Sequence, residues 1–354
     1  MLAAESKAEG RSAITSPRRD VVSSWKRIVE PVEPFLAAVA QCLAEQIEEF
    51  EPEIANHVRY ALTNQGKQLR PALVALSAEA TGGPNSGLVT VAAIIEMVHL
   101  ATLVHDDVMD VAKIRRRRPT LAAHAGNSIS VLVGDCLFAH AVKLAASFPT
   151  PEICRAVSSA TKTVCSGEIL QTQRQRQFHL PRAEYFRVLQ MKTAELFALS
   201  CDLGAWLSGS TPSERAAVRN FGLALGTAYQ VFDDCLDLFG TEAVAGKSLG
   251  TDLECGKVTL PVIVALERTD PASRRALEEM LLHWDRRRLP RLLAILGEYG
   301  ALEESRETIH GYCRAARQTL TLLPAGDGRR ALEQVADFLA QQTDALGVPL
   351  DGPP

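Results

Sequence analysis

Apolar residues recur every three or four positions along most of the chain, from about residue 23 to residue 345. This spacing places them on one face of an α-helix, and no segment alternates strictly between apolar and polar residues as a half-buried strand does. The pattern therefore predicts an all-α domain over residues 23–345, with flexible tails at 1–22 and 346–354. The predicted helices span residues 30–49, 53–64, 70–81, 88–112, 128–148, 151–176, 182–208, 212–239, 257–268, 286–297, 301–323 and 329–345.

The boundaries between these segments carry residues that begin helices. Thr211-Pro212 and Asp270-Pro271 each place a side-chain oxygen and then a proline before a new apolar run, which is the usual chemistry of a helix N-terminus. Residues 91–104, VAAIIEMVHLATLV, are apolar nearly all round, so we expect a helix buried at the centre of the fold. No linker-like stretch divides the middle of the chain, and we predict one large helical bundle.

The composition excludes several classes of protein. Hydrophobic residues make up 47% of the 354 residues, which is enough for a large core. The formal net charge of −4 excludes the general basic field of a nucleic-acid-binding protein. The 8 cysteines form no CxxC pair, and no apolar stretch approaches the ~18–20 residues that span a bilayer. We therefore expect a cytoplasmic protein with reduced thiols, no nucleic-acid partner and no transmembrane segment.

Two copies of the pattern D-D-x-x-D carry the candidate chemistry. Residues 106–110 (DDVMD) and 233–237 (DDCLD) each lie at the end of a long apolar segment. Positions i and i+4 share a helix face, so the first and last aspartates of each copy project together and repel each other. Mg²⁺ relieves such repulsion, because it binds one or two carboxylates together with substrate phosphates. One cluster alone is typical of a solvated helix end, whereas two copies predict a cage for a diphosphate and its metal ions.

Other metals fit these clusters less well. The spacing and the glycine of a calcium-binding EF-hand loop are absent, and no set of histidines and cysteines for zinc surrounds the carboxylates. The sequence also lacks a nucleophile motif, a Walker A loop and a G-x-G-x-x-G motif. That absence fits a reaction in which metal ions activate a leaving group.

Basic and polar residues suited to a diphosphate occur near both clusters. Each of them is alternatively a surface charge or a core side chain. They are Lys67 and Arg70 in GKQLRP, the run Arg115–Arg118 just after the first cluster, Lys192 and Thr193, and Lys247 and Lys257, which flank residues 250–252. His99 falls on the same helix stripe as Asp106 two turns earlier, and Gln230 similarly extends the stripe of Asp233.

In these motifs the chain resembles the trans-isoprenyl diphosphate synthases, or polyprenyl synthetases. The resemblance covers roughly residues 50–265, in the order of the family. The matching segments are GKQLRP (66–71), EMVHLATLVHDDVMD (96–110), RRRRPT (115–120), GNSISVLVGD (126–135), GExxQ (167–171), KTAELF (192–197), YQVFDDCLDLFG (229–240) and GKSLGTDLECGKVTLP (246–261). The resemblance implies an all-α isoprenoid synthase fold with a central substrate cavity, and a homodimer.

The resemblance also implies a role for each site residue. The implied metal ligands, for two or three Mg²⁺ ions, are Asp106, Asp110, Asp233 and Asp237, supported by Asp107 and Asp234. The implied ligands of isopentenyl diphosphate are Lys67, Arg70, His99 and Arg116. The implied ligands of the allylic diphosphate are Arg115, Lys192, Thr193, Gln230, Lys247 and Lys257, with Gln171 beside them.

The implied activity is the head-to-tail 1′-4 condensation of isopentenyl diphosphate with an allylic diphosphate, which gives an all-trans polyprenyl diphosphate. Metal ions and cationic side chains would stabilise the departing diphosphate. Two alternatives stay open. A terpene cyclase would need only one of the aspartate-rich motifs, and a non-catalytic subunit of a heteromeric synthase would usually have lost them.

The chain departs from the family at Arg117, where the usual motif R-R-G-x-P-T has glycine. Glycine accommodates positive φ, whereas arginine in that conformation costs on the order of 1 kcal/mol. Either the turn is altered or the strain is tolerated. The direction in which the side chains of Arg115 and Arg116 point depends on which of the two occurs. Gln68 also replaces a usual arginine, a change that we expect to be neutral.

The residues before the first cluster bear on product length. Ala101 and Thr102 are small, whereas short-chain bacterial members of the family typically have an aromatic residue at one of these positions. Met97 and Val98 lie about one turn deeper and are candidates for the floor of the pocket. We therefore expect a product of C20 or longer, in the range C30–C45, and we expect Ala101→Trp to shorten it.

Overall fold

The computed structural model describes residues 25–63, 66–242 and 249–348, and these residues are mostly helical. Within these ranges the only sheet is an antiparallel hairpin of β1 (Ile114–Arg115) and β2 (Arg118–Pro119). The predicted all-α class is therefore confirmed. The predicted N-terminal tail lies outside the described residues, and Leu346, the first residue of the predicted C-terminal tail, is buried.

The helices differ widely in length, and short 3₁₀ turns precede or follow several of them. In chain order they are α1 (Glu33–Ile47), α2 (Pro52–Leu62), α3 (Leu69–Thr81), α4 (Leu88–Met109), α5 (Leu121–Ala125), α6 (Asn127–Ala146), α7 (Glu152–Gln173), α8 (Arg182–Leu189), α9 (Glu195–Leu207), α10 (Pro212–Phe239), α11 (Thr251–Glu254), α12 (Leu260–Arg268), α13 (Pro271–Leu282), α14 (Leu289–Glu298), α15 (Ala301–Thr319) and α16 (Asp327–Asp344).

Helix α4 is the buried central helix that the sequence predicts. Residues 91–95 have no exposed surface, and the helix packs against α1, α3, α6 and α9. Helices α9 and α10 pack side by side, and α10 also contacts α15. Both acidic clusters thus lie on long helices whose other faces are held by the core, and this packing sets the direction in which each carboxylate points.

Two helices have the length and composition of a membrane span, α4 and α6. The prediction that no apolar stretch approaches that length was therefore wrong. The prediction was based on uninterrupted apolar runs. The mean hydropathy of a whole helix stays high even when the helix contains an isolated polar residue such as Glu96 or His99. In α4, 72% of the apolar window is buried inside the protein, as in the core helix of a soluble domain. In α6 the buried share is only 39%.

The predicted helix starts at Thr211 and Asp270 are confirmed. The Thr211 hydroxyl accepts a hydrogen bond from the backbone N of Glu214 at 3.3 Å, and the Glu214 carboxylate accepts one from the backbone N of Thr211 at 2.8 Å. The Asp270 carboxylate accepts bonds from the backbone N of Ala272 and Ser273. These contacts satisfy N–H groups that have no partner within the helix.

The hairpin after α4 shows how the chain accommodates Arg117. Arg116 and Arg117 occupy its two-residue turn with φ values of 52° and 63°. A turn with positive φ at both central residues matches the twist of the flanking strands, although glycine or asparagine is usual there. The turn is therefore retained and the strain is tolerated.

Replacing Arg117 with glycine is expected to stabilise the protein. Relative to Arg117→Ala, which keeps the Cβ atom, Arg117→Gly should raise the free energy of unfolding by about 1 kcal/mol. Urea denaturation of the two variants measures this difference. Equal stability of the two variants would show that the turn carries no such strain.

Candidate active site

The first acidic cluster lies at the C-terminal end of α4. The side chains of Asp106 and Asp110 are partly exposed, at 17% and 27%, whereas that of Asp107 is 7% exposed and accepts a bond from Arg115 Nε at 2.7 Å. Burial raises the pKa of Asp107, and the neighbouring guanidinium of Arg115 opposes this effect. Two of the three aspartates therefore face the cleft, and the third holds Arg115.

The second cluster lies at the C-terminal end of α10, and only Asp233 of its three aspartates keeps exposed surface. Asp234 is buried and accepts bonds from the Tyr185 hydroxyl at 2.6 Å and from Gln230 Nε2 at 2.8 Å. Burial, followed by the charge of Asp252, raises the pKa of Asp234 to about 8. This carboxyl group therefore serves the packing of α10 against its neighbours.

Asp237 was predicted to be a metal ligand, and the structure argues against a direct role. Its side chain is fully buried. Its two carboxylate oxygens accept bonds from Thr251 Oγ1 at 2.7 Å and from the backbone N of Asp252 at 3.1 Å. Asp237 thus anchors the start of α11. The helical spacing of Asp233 and Asp237 was read correctly, but Thr251 and Asp252 lie against Asp237.

Lys257 connects the two clusters across one cleft. Its Nζ lies 2.9 Å from Oδ2 of Asp110 in the first cluster. The same Nζ lies 3.8 Å from Oδ1 of Asp252, whose backbone N is bonded to Asp237 in the second cluster. Desolvation would lower the pKa of Lys257, but Asp252 and Asp110 raise it above its ordinary value. The two clusters therefore share a single cleft.

Lys192 and Thr193 enter this cleft from a π-helical turn, Gln190–Ala194, between α8 and α9. Such turns are rare and occur mostly at functional sites. Lys192 Nζ lies 3.7 Å from Asp106 and 2.9 Å from Gln171 Oε1, and the Thr193 hydroxyl donates to Gln230 Oε1 at 2.8 Å. The turn thus joins predicted residues of α4, α7 and α10, as the site hypothesis requires.

Glu168 forms an ion pair with Lys192 and is a residue of the site that was not predicted from the sequence. Glu168 follows Gly167 on α7. A Cβ atom on Gly167 would lie 2.7 Å from the backbone N of Lys192, so the missing side chain lets α7 approach the π-helical turn. Glu168 and Gln171 are three residues apart on one helix face, and this spacing within GExxQ was the signal that could have identified Glu168.

The predicted ligands of isopentenyl diphosphate gather between α3, α4 and the hairpin. The guanidinium of Arg70 lies 5.0 Å from the ring centre of Phe197, and its Nε is buried without a hydrogen-bond partner among the described residues. Desolvation, followed by the charges of Arg70 and Arg116, holds the pKa of His99 well below its ordinary value. His99 is therefore neutral at pH 7.

Arg116 and Lys67 approach this group from the hairpin and from the segment before α3. A Cβ atom on Gly66 would lie 2.6 Å from a guanidinium nitrogen of Arg116, so Arg116 lies against the residue next to Lys67. Lys67 itself is exposed, with its Nζ 5.8 Å from the ring centre of Phe338. The structure thus brings Arg70, His99 and Arg116 together, and the backbone next to Lys67 lies beside them.

The remaining predicted residues are Lys247 and the four residues of the proposed product pocket. Lys247 lies outside the described residues. Among the proposed pocket residues, Ala101, Met97 and Val98 are almost completely covered. Thr102 keeps exposed surface and donates its hydroxyl to the backbone O of His99 at 2.7 Å.

Comparison with known proteins identifies the family. The sequence model of the Polyprenyl synthetase family matches residues 51–294, which is more than half of the chain. This chain belongs to the polyprenyl synthetase family. The match includes both acidic clusters and most of the basic residues that meet in the cleft, so the prediction made from the motifs is confirmed.

Individual members of the polyprenyl synthetase family match over most of their length. A short chain isoprenyl diphosphate synthase of Methanothermobacter thermautotrophicus is 33% identical over 85% of this chain and 94% of its own length. The octaprenyl diphosphate synthase of Escherichia coli K12 is 32% identical over 90% of this chain and 98% of its own. A polyprenyl synthase of Caulobacter crescentus, crystallised with calcium and isoprenyl diphosphate, is 32% identical, covers 89% of this chain and 97% of its own, and has a TM-score of 0.85.

These matches confirm two predictions about this polyprenyl synthetase. The chain has the all-α isoprenoid synthase fold, and it is a trans-prenyl diphosphate synthase. They give no support to a terpene cyclase or to a non-catalytic subunit.

Proposed function

We propose that this enzyme condenses isopentenyl diphosphate with an allylic diphosphate in a Mg²⁺-dependent reaction that yields a medium- or long-chain all-trans polyprenyl diphosphate. The observation that carries the proposal is the link made by Lys257. Its ammonium contacts Asp110 of the first cluster and Asp252, which adjoins the second. A diphosphate bound between the clusters would contact both the cations held by the carboxylates and the ammonium groups of the lysines.

Each substrate has its own set of proposed ligands. The set for isopentenyl diphosphate is Lys67, Arg70, His99 and Arg116. The set for the allylic diphosphate is Arg115, Lys192, Thr193, Gln230, Lys247 and Lys257, with Gln171 holding Lys192. The contacts of the π-helical turn support the second set. Lys192 stands 3.7 Å from Asp106 and is bonded to Gln171, while Thr193 is bonded to Gln230, which donates to Asp234 of the second cluster.

The carboxylates fit Mg²⁺. No set of three or more histidine, cysteine, aspartate or glutamate side chains is arranged to hold a metal ion by itself within the described part of the chain. Mg²⁺ does not need such a set, because it takes one or two carboxylates and completes its shell with water and phosphate oxygens. We propose Asp106, Asp110 and Asp233 as the ligands of two or three Mg²⁺ ions. When bound, these ions would neutralise the charge that develops on the departing diphosphate.

The residues of the chain orient the substrates and stabilise charge. Lys192 and Lys257 would present ammonium groups to the leaving diphosphate. Their side chains are 17% and 11% exposed, so their electrostatic attraction for a phosphate is stronger than it would be in open solvent. The allylic C–O bond breaks with its electron pair staying on the diphosphate. The double bond of isopentenyl diphosphate attacks the cation, and a proton then leaves the new chain for the released diphosphate. His99 would donate a hydrogen bond from a ring nitrogen to isopentenyl diphosphate.

Incubation with labelled isopentenyl diphosphate, Mg²⁺ and each allylic primer in turn tests this function. We expect label in a chain-extended diphosphate, no incorporation in the presence of a chelator, and no incorporation without a primer. A cyclic hydrocarbon made from the primer alone would contradict the proposal. Chain-length analysis of the same products identifies the preferred primer and the product.

Product length varies among the relatives, which include both a short chain synthase and an octaprenyl synthase. Ala101 and Thr102 leave the space below Asp106 unblocked by an aromatic ring, which favours C20 or longer and the range C30–C45. Thr102 is partly exposed one turn before Asp106. The growing chain would therefore pass Thr102 first and meet Met97 and Val98 deeper in the core.

Ala101→Trp is expected to shorten the product. Because Ala101 is fully buried, the larger side chain would also overpack the core, at a cost of about 1–3 kcal/mol. Thr102→Phe tests the same path from a position that already has exposed surface. Thin-layer analysis of the dephosphorylated products measures the effect. A product distribution that neither variant changes would contradict this path.

We also propose that the enzyme is a cytoplasmic homodimer. The apolar face of α6 supports a second copy of the chain as partner, because Ile129, Leu132 and Val142 are exposed on it and Ile169 is exposed on α7. Exposed apolar surface of this kind marks association sites. Light scattering after gel filtration would give twice the mass of the chain, and a monomer at micromolar concentration would contradict the dimer.

A further inference from the structure

We infer that Glu168 is a positioning residue that keeps Lys192 away from Asp106, so that Asp106 is available to a divalent cation. This inference rests on the proposed function, because it concerns the same cleft. Its basis is the set of acceptors around Lys192 Nζ. The ammonium forms a direct ion pair with Glu168 and a 2.9 Å hydrogen bond with Gln171, but it stands 3.7 Å from Asp106.

Lys192 has a choice between two carboxylates of similar exposure. The Glu168 side chain is 18% exposed, and that of Asp106 is 17% exposed. In such surroundings an ammonium pairs with whichever carboxylate its backbone allows it to reach. If Lys192 paired closely with Asp106, it would occupy the place of a metal ion and would have to leave before the ion could bind.

The local architecture favours Glu168 over Asp106. Gly167 allows the backbone of Lys192 to lie directly against α7. Glu168 and Gln171 then hold the ammonium from two successive turns of the same helix. Since α7 supplies both contacts, the lysine is held by a rigid element and remains close enough to reach a diphosphate bound at Asp106.

The metal requirement of diphosphate binding tests this inference without turnover. Melting temperature is recorded as Mg²⁺ is titrated in the presence of inorganic diphosphate. In Glu168→Gln, Lys192 loses its anionic partner and shifts toward Asp106. We expect the Mg²⁺ concentration at half-maximal stabilisation to rise about fivefold. In Glu168→Asp, which keeps the charge, we expect this concentration to return most of the way to the wild-type value. The matched control is Glu49→Gln, which breaks an exposed lysine–glutamate pair with Lys143, and its midpoint should equal that of the wild type.

A second pair of variants separates this role from direct metal binding. If Glu168 acts through Lys192, then adding Glu168→Gln to Lys192→Met should leave the midpoint of Lys192→Met unchanged. A further rise in the double variant would mean that Glu168 acts on the metal directly, and this would overturn the inference. An unchanged Mg²⁺ midpoint in Glu168→Gln would also overturn the inference. If Glu168→Gln fails to fold, Glu168→Ala replaces it, and an unchanged midpoint in that variant would overturn the inference in the same way.

Failure of the inference is distinguishable from failure of the proposed function. If the wild type shows Mg²⁺-dependent stabilisation by diphosphate but Glu168→Gln does not alter it, only the role of Glu168 is lost. If the wild type shows neither this stabilisation nor transfer of label from isopentenyl diphosphate, both are overturned.

Discussion

Asp233→Asn is expected to lower kcat/KM about a thousandfold with little change in stability. Asp233 is the one aspartate of the second cluster with exposed surface in the cleft. Asparagine keeps the shape of the side chain but removes the charge that would bind a cation beside the diphosphate. Steady-state kinetics at saturating Mg²⁺, together with thermal denaturation, measure the two effects separately.

Asp237→Asn is the matched comparison, because it makes the same chemical change four residues later. Asp237 accepts bonds from Thr251 and from the backbone N of Asp252. The substitution should therefore cost about 1–3 kcal/mol of stability. Its effect on activity should be smaller than that of Asp233→Asn. If Asp237→Asn abolished activity at unchanged stability, the assignment of Asp237 as an anchor would be wrong.

Gly167→Ala should lower kcat about a hundredfold, since displacing a catalytic group by roughly 1 Å has effects of this size. A Cβ atom at this position would lie 2.7 Å from the backbone N of Lys192 and 2.9 Å from Cβ of Met191. Both neighbours belong to the π-helical turn, so the turn must move away from α7. Lys192 would then leave its place opposite Asp106.

The control for this substitution is Gly297→Ala in α14. A Cβ atom there would meet nothing within 4 Å, and alanine in a helix interior is more favourable than glycine by roughly 0.5–1 kcal/mol. Gly297→Ala should therefore keep full activity and gain slightly in stability. Circular dichroism melting and initial rates compare the two variants. Wild-type activity in Gly167→Ala would show that the close approach of α7 does not position Lys192.

The helical period was sufficient to predict the fold class and the central helix, but it could not determine which aspartates face the cleft. Helical spacing places Asp233 and Asp237 on one stripe equally. The difference arises from residues 251–252, which bond to the Asp237 carboxylate, and no local pattern in the sequence encodes a contact between residues 14 and 15 positions apart. Similarly, Asp107 is withdrawn from the cleft by Arg115, eight residues later.

Other features were missed for different physical reasons. Helix α13 was missing from the predicted segments although its start at Asp270 was identified, because its apolar positions are interrupted by charged residues and only Leu277, Met280 and Leu281 are buried. The π-helical turn lies inside a segment that was read correctly as helical, 182–208, and a change of hydrogen-bond register leaves no trace in the spacing of apolar residues. Product length depends on the shape of a pocket, which a periodic pattern does not describe.

The two lysines of the cleft stand in different relations to the first acidic cluster. Lys257 Nζ lies 2.9 Å from Asp110, whereas Lys192 is paired with Glu168 and stands 3.7 Å from Asp106. A cation that binds Asp110 therefore displaces an ammonium, whereas one that binds Asp106 does not. Although the two aspartates lie on one helix face, they should differ in how readily each takes up Mg²⁺.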